Sequence, residues 1–374
     1  MKVTQLLGSL AAFLLCLACG DNRIEKGPIK RSGQADVVSL DDDWRFIRYG
    51  LQADGTRVEE PAGMFEPATD DSDWETLDVP HDFAIKGPFR MDLAGNTGRL
   101  PFQGIGWYRK TFTVDEADQG KRFYVDFDGV MANAQVWLNG EYVGTWPYGY
   151  NSFRLDLTPF IQVGKENLLA VRTDTEKWDS RWYSGAGIYR HVWLVKTGQV
   201  HVRHWGTKIE ATNLTDKTAD LHLTVEVENH MNEDTKAVVK TSVYELDSLD
   251  CLGKRVLCFD DQTLPLKAMS AGKINLQKRM DDCKRWDIES PNRYMACVTV
   301  RVDGQETDRY YTPFGVREIS VSREGFFLNG RRVEIKGVCN HHDLGALGAA
   351  FNRSALERQF RIMREMGCNS IRTS

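Results

Sequence analysis

The sequence predicts a multidomain, mainly β protein: a jelly-roll β-sandwich, then an immunoglobulin-like β-sandwich, then the truncated start of a TIM (β/α)8 barrel. Three observations carry that prediction. At 374 residues the chain is too long for one ordinary domain. Across residues 37–198 and again across 199–315, short runs of alternating apolar and polar residues are broken by turn dipeptides, with no sustained helical period. From residue 316 onward the pattern becomes hairpin, apolar strand, amphipathic helix and a further strand, the order of a parallel βαβ unit.

The amino terminus stands apart from this plan. Lys2 precedes an apolar run from Leu6 to Ala18 that ends in small residues, the pattern of a secretory leader too short to span a bilayer as a helix. Residues 1–20 are therefore expected to be a signal peptide and 21–36 a polar tether. Leu17-Ala18-Cys19-Gly20 is similar to a bacterial lipoprotein cleavage box in which Cys19 takes the lipid, although Cys16 stands where that box has Leu. The expectation is an exported bacterial protein, periplasmic or attached to a membrane through lipidated Cys19.

In the first sandwich, Phe123, Val125 and Phe127 alternate with polar neighbours, as in a strand buried on one face. Val136-Trp137-Leu138 runs into Asn139-Gly140, a two-residue hairpin turn, and Tyr142-Val143 returns. Further strands are expected at residues 168–172 and 191–195. In the second sandwich, Leu221, Leu223, Val225 and Val227 alternate with His222, Thr224, Glu226 and Glu228, and Val298, Val300 and Val302 repeat the pattern before Asp303-Gly304. The third region, 316–374, opens with a hairpin around Asn329-Gly330 and an apolar strand at 335–338. Ser354 with Glu357 reads as a capping box, Leu356, Phe360 and Met363 share a helical face, and Gly367 stops the helix.

Composition narrows the function. Charged residues make up 27% and hydrophobic residues 41%, which describes a packed globular protein. A net charge of −5 with no basic block argues against nucleic acid. Ten tryptophans suit sugar stacking and sandwich cores alike. Of the eight cysteines, six lie beyond the leader and none forms a CxxC pair, so no zinc site is expected; Cys251 and Cys258 could close a small disulfide loop or stay as thiols.

At this point the chain resembles glycoside hydrolase family 2. Phe127 to Val130, Val136 to Gly140, Tyr148-Gly149-Tyr150 with Phe153, and Asp179 to Arg190 resemble the family's sugar-binding domain. Ser290-Pro291-Asn292 and Phe314 to Arg317 resemble the end of its middle sandwich, and Lys336 to Asp343 with Asn369 to Ser374 the opening of its barrel. The order of these motifs along the chain is itself specific. The resemblance implies a retaining mechanism with one Glu as acid and base and a second as nucleophile. The first of these follows Asn in the family; the pair Asn232-Glu233 here falls in a loop of the second sandwich, so both catalytic Glu are expected beyond Ser374.

The resemblance also assigns supporting residues. His341, His342 and Asp343 follow the first barrel strand, at the face where barrel chemistry occurs, and are expected to bind sugar hydroxyls; the doubled His leaves the register open by one residue, with His341 favoured. Arg372 is expected to hold the nucleophile ionised. Asp179, with Arg181 and Trp182, is expected to reach from the first sandwich into the barrel mouth, while Trp182 and Tyr183 could equally be core. His81-Asp82 and the segment from Gly95 to Gly106 are further candidates for facing the site. In some galactosidases the acidic residue also meets a sodium ion, so a sodium or magnesium ion belongs to the expectation for a full-length enzyme. No all-protein metal cage is expected.

The reading is thus an exported glycosidase cleaving terminal β-linked sugars, above all β-galactosides, from an oligosaccharide or glycoside, with a homo-oligomer admissible as the assembly. The alternatives are a non-catalytic carbohydrate-binding β-sandwich protein, or the same enzyme class acting on β-glucuronides or β-mannosides.

Overall fold

The computed structural model of the chain describes residues 28–29, 31–52, 54–177 and 180–373. In the first sandwich one sheet runs, in spatial order, Arg57–Val58, Trp44–Leu51, Ile105–Thr113, Glu166–Asp174, Ala134–Leu138 and Glu141–Trp146, with Glu75–Leu77 also on Trp44–Leu51. The facing sheet runs Phe153–Asp156, Arg122–Phe127, Val192–Thr197 and Val37–Ser39. Between them lies a core that includes Trp44, Phe83, Tyr108, Phe127, Leu138 and Leu169. Asn139 and Gly140 both take positive φ, 55° and 87°, and turn the expected hairpin.

One detail departs from expectation. The strand Arg122–Phe127 buries both faces, since Tyr124 and Asp126 are as covered as Phe123 and Val125. The outer face lies under the second sandwich and the amino-terminal segment: Asp126 takes Arg31 and Arg154, and Tyr124 meets His201. Alternation cannot reveal a face covered by another domain.

The second sandwich pairs a three-stranded sheet, Val200–Thr212, Ala219–Asn229 and Ser270–Met280, with a larger one. That sheet runs Gly33–Gln34, Gln305–Phe314, Arg293–Val302, Thr235–Leu246 and Leu252–Cys258, with Gln262–Leu266 also on Thr235–Leu246. Ala219–Asn229 alternates buried and half-buried along its whole length, as its sequence predicts. The segment expected to be a tether is, at its end, a structural strand: Gly33 and Gln34 pair with Tyr311 and Tyr310. The reason is that Ile29 packs on Leu246, Met295 and Tyr311 and so covers an apolar outer face, while the edge of Gln305–Phe314 gains a partner. Cys251 and Cys258 are both reduced and form no disulfide, and the same holds for the other four described cysteines.

Residues 319–373 begin with a three-stranded meander, Ile319–Ser322, Gly325–Leu328 and Arg331–Val333. Gly337–Asn340 then pairs in parallel with Ser370–Thr373, Cys339 opposite Arg372, and the helix Arg353–Glu365 connects them. The helix start differs from the expected capping box. Asn352, at φ −136°, accepts from Ala355 N, while Glu357 pairs with Arg353 at 2.9 Å. Ser354 already lies inside the first turn, so the residue that precedes the helix with extended backbone does the capping. At the other end Gly367, at φ +92°, closes a Schellman motif: Cys368 N donates to Met363 O and Gly367 N to Arg364 O.

Candidate active site at the barrel mouth

The parallel strand pair sorts its side chains by alternation. Asn340 points to the helix, donating to Gln359 Oε1, and Ile371 lines a cavity with Leu356 and Phe360. Cys339 and its cross-strand partner Arg372 therefore project from the opposite face, the one that becomes the lumen in a closed barrel.

The two histidines that follow the first strand part company. His342 turns back into the first sandwich, its ring 5.5 Å from both Tyr150 and Tyr189. Its Nε2 lies 2.9 Å from the carbonyl of Ser184, which can only accept, so Nε2 carries the proton. His341 instead packs against Trp182, the ring centroids 5.0 Å apart and the planes tilted by 52°, and the guanidinium of Arg181 lies 5.0 Å over the same indole. Trp182 is 44% exposed, whereas the neighbouring Tyr183 is buried. The core reading thus holds for Tyr183 and fails for Trp182. Arg181, Trp182 and His341 form one platform from two domains.

What sets that platform in place is Asp82. Its carboxylate is 1% exposed and accepts four hydrogen bonds. Ala84 N and Ala186 N donate to Oδ1, each at 3.0 Å, and Tyr183 Oη and Ala349 N donate to Oδ2 at 2.5 and 2.8 Å. Burial raises the Asp82 pKa, and these four donors oppose that rise. Burial is also the main reason the Tyr183 phenol is pushed far up, with the charges of Asp82 and Asp343 adding to it. Three segments are joined at this one side chain: its own loop, the loop bearing Trp182, and the first βα loop of the barrel. Phe351 N adds a bond to Tyr189 O at 2.9 Å, and the Phe351 ring packs on His191 and under Arg190.

His81-Asp82 therefore does not face the site, contrary to expectation. His81 is held between Phe46 and Tyr108, with Nδ1 2.9 Å from the Tyr108 hydroxyl, and burial lowers its pKa to about 4. The segment from Gly95 abuts the base of the Trp182 loop, where Asn96 O accepts from Tyr183 N. Asp343 sits half-buried close enough to Tyr183 to bias it. Asp179 lies outside the described residues, so no ion ligand is assigned and no ion enters the chemistry below. Glu233 is exposed in a loop of the second sandwich, its carbonyl bonded to Asn229. Sequence reasoning undervalued Asp82, whose only signal was its place beside His81 before an apolar Phe-Ala-Ile run.

Comparison with known proteins gives this geometry a family. The sugar-binding domain of glycosyl hydrolases family 2 matches residues 37–198, the family's central domain 200–317, and its TIM barrel domain 319–374. A β-galactosidase of Bacteroides ovatus is 44% identical over 340 residues, which is 89% of this chain and 38% of that protein. A β-glucuronidase of Bacteroides fragilis is 26% identical, covering 92% of this chain and 47% of its own. The solved structure of a family member from Bacteroides cellulosilyticus superposes with a TM-score of 0.82 at 32% identity, over 90% of this chain and 43% of that one. The chain spans less than half the length of these relatives. Three consecutive domain matches, in the family's order and over nearly all the described residues, make this chain a member of glycosyl hydrolase family 2.

Proposed function

We propose that this chain serves a retaining β-galactosidase, exported and attached to a membrane through a lipid on Cys19. The observation that carries the reading is the meeting of Arg181 and Trp182 with His341, a hydrogen-bonding and stacking platform at the mouth of a barrel. Trp182 offers an indole face to the apolar side of a pyranose, and His341 and Asp343 offer acceptors and a donor to its hydroxyls. Arg372, on the lumen face, supplies a fixed positive charge for a nucleophilic carboxylate. Two Glu from the rest of a longer protein would complete retention, placed about 5–5.5 Å apart.

The galactoside preference rests on the 44% identical relative. Export and lipidation rest on the Lys2, Leu6–Ala18 and Cys19 pattern. A glucuronide is the second reading, favoured by Arg181, whose guanidinium at the mouth matches a uronate carboxylate. The test is hydrolysis of aryl β-galactoside, β-glucuronide and β-mannoside by a longer version of the protein and by the 374-residue chain. Galactoside cleavage by the longer version alone is the expected outcome. Glucuronide cleavage in its place replaces the substrate, cleavage by the shorter chain removes the two-Glu assignment, and cleavage by neither leaves a carbohydrate-binding protein.

A further inference from the structure

The chain exposes a second tryptophan far more fully than Trp182. Trp205 is 67% exposed and takes φ +56°, a left-handed conformation that a bulky residue adopts only under backbone strain. It sits on an irregularity in the ladder between Val200–Thr212 and Ala219–Asn229, where pairing jumps from Val202 to Thr207. Such a bulge re-aims a side chain out of the regular pleat. The conformation is held: Trp205 N donates to Tyr310 Oη at 3.0 Å, and the indole stacks on His204 with centroids 4.3 Å apart. Apolar burial would have been the ordinary fate of this ring, so the strain serves its presentation.

Beside it lies a cleft of about 440 Å³ between the two sandwiches, walled by Arg31, Asp126, Asp128, Arg154 and His204. Asp126 anchors the wall by pairing with Arg31 at 2.6 Å and Arg154 at 2.6 Å, and Arg31 reaches Asp128 at 3.1 Å. These pairs fix the groups without exhausting them. Among the described residues Arg31 uses two of its five N–H donors, and Asp128 keeps lone pairs beyond those given to Arg31 and Trp193. His204 Nδ1 is buried in the wall with no hydrogen-bond partner among the described residues. A preorganised row of guanidinium and carboxylate groups next to an indole face is the chemistry that binds a pyranose: paired hydrogen bonds to vicinal hydroxyls on one side, stacking on the other.

We propose that this cleft is a second, non-catalytic carbohydrate-binding site that holds one or two pyranose rings of a β-linked glycan, with Trp205 as its stacking platform. It lies between a different pair of domains from the barrel mouth, although Arg190 borders both its wall and the cavity beside His341. Only the choice of a β-linked glycan rests on the function proposed above. The surplus guanidinium donors accept either hydroxyl oxygens or a uronate, so two probes distinguish neutral from acidic glycan.

The test is affinity gel electrophoresis of the 374-residue chain in gels containing β-1,4-galactan or a glucuronate-bearing β-glycan. The unsubstituted chain is expected to be retarded by at least one of them. Trp205→Ala should weaken that retardation at least tenfold, Arg31→Ala should also weaken it, and Trp205→Phe should retain most of it. Leu249→Ala, exposed in a turn of the second sandwich away from both sites, should leave it unchanged. Because Trp205 is exposed, its Ala variant should melt with the unsubstituted chain. Absence of retardation in both gels, or equal retardation of the Trp205→Ala variant, overturns the proposal. Hydrolysis by the longer protein is read separately, so a Trp205-dependent retardation stands even where that enzyme assignment fails.

Discussion

Two consecutive pieces of the third region meet the rest of the chain in opposite ways. The loop 342–351 is tied to the first sandwich through Asp82, Ser184 and Tyr189 and contains a fully buried residue, Ala349. The helix that follows at once, Arg353–Glu365, buries none of its residues and leaves Phe360 and Ile362 two-fifths exposed. Position in the sequence therefore says little about anchorage here. The barrel's first loop belongs mechanically to the sandwich, and this is how a sandwich residue, Trp182, can be held in register with a barrel residue, His341.

The largest test of that contrast is Asp82→Ala. It leaves four donors, three of them backbone N–H groups, without an acceptor in a buried site, and each such group costs about 1–3 kcal/mol. A loss of roughly 4 kcal/mol or more in chemical denaturation is expected, with new protease cuts in 344–351. Asp82→Asn should lose nearly as much, because its NH2 group must face two of those donors. A variant that melted like the parent would show that the loop docks by other means.

Gly348→Ala comes next. Gly348 stands at φ +58°, and a Cβ there would lie 2.1 Å from Ile85 Cγ2 and 2.3 Å from Asp82 Oδ2. Both strain and overlap oppose it, so about 2–3 kcal/mol should be lost. An Ala at Gly367, where nothing lies within 4 Å, should cost only the strain of its φ +92°, about 1 kcal/mol. Equal losses at the two glycines would erase the distinction between docked loop and open helix.

Much of this was legible in the chain and some was not. Asn139-Gly140, Asp303-Gly304 and Asn329-Gly330 all turn with positive φ at both residues, because short-range turn chemistry decides them. The alternation of Ala219–Asn229 gave its buried face directly. What escaped was everything decided between domains: the covered outer face of Arg122–Phe127, the strand made by Gly33–Gln34, and the role of Asp82. The side-chain separation of His341 from His342 was open by one residue for the same reason, since the partner that captures His342 lies 158 residues away.

Acid should loosen the sandwiches. Burial lowers His81 to about 4, His201 to about 3 and His204 to about 4. Above the unfolded value near 6.5 both states hold these rings neutral and stability is complete. As pH falls toward 4 the unfolded chain takes protons that the folded one refuses, so stability drops by up to about 1.4 kcal/mol per pH unit for each of the deeply buried His81 and His201, and by less for the more exposed His204. Asp308, pushed up to about 7 by burial, works in the other direction over the same range. The clean measurement is therefore a difference: urea midpoints at pH 7, 6 and 5 for the parent and for His81→Gln, whose slope should be smaller by about one such ring. An unchanged slope would mean that His81 does not stay neutral.

A smaller and more pointed contrast separates the two adjacent histidines. His342→Ala removes a bond to Ser184 O and packing on Tyr150 and Tyr189, for about 1–2 kcal/mol. His341→Ala removes only a contact with exposed Trp182 and should leave stability within about 0.5 kcal/mol. In a longer, active protein the ranking should invert, with His341→Ala lowering kcat/KM at least tenfold. If His342→Ala were instead the neutral change in stability and the costly one in turnover, the platform would have to be redrawn around His342.

The smallest expected effect lies on the helix. Phe360 points toward Ile371 and is 42% exposed, so its Ala variant forfeits only part of the contact that a buried ring makes. Phe127, 0% exposed in the first core, should lose roughly 3–5 kcal/mol on the same substitution, against about 1 kcal/mol or less for Phe360. A broad-specificity protease should likewise cut first in the exposed strand Ile319–Ser322; Val316 is buried against the second core and starts the protected side. A Phe360→Ala loss as large as that of Phe127→Ala would mean that the helix is packed as firmly as the sandwich, and the contrast between loop and helix would fall with it.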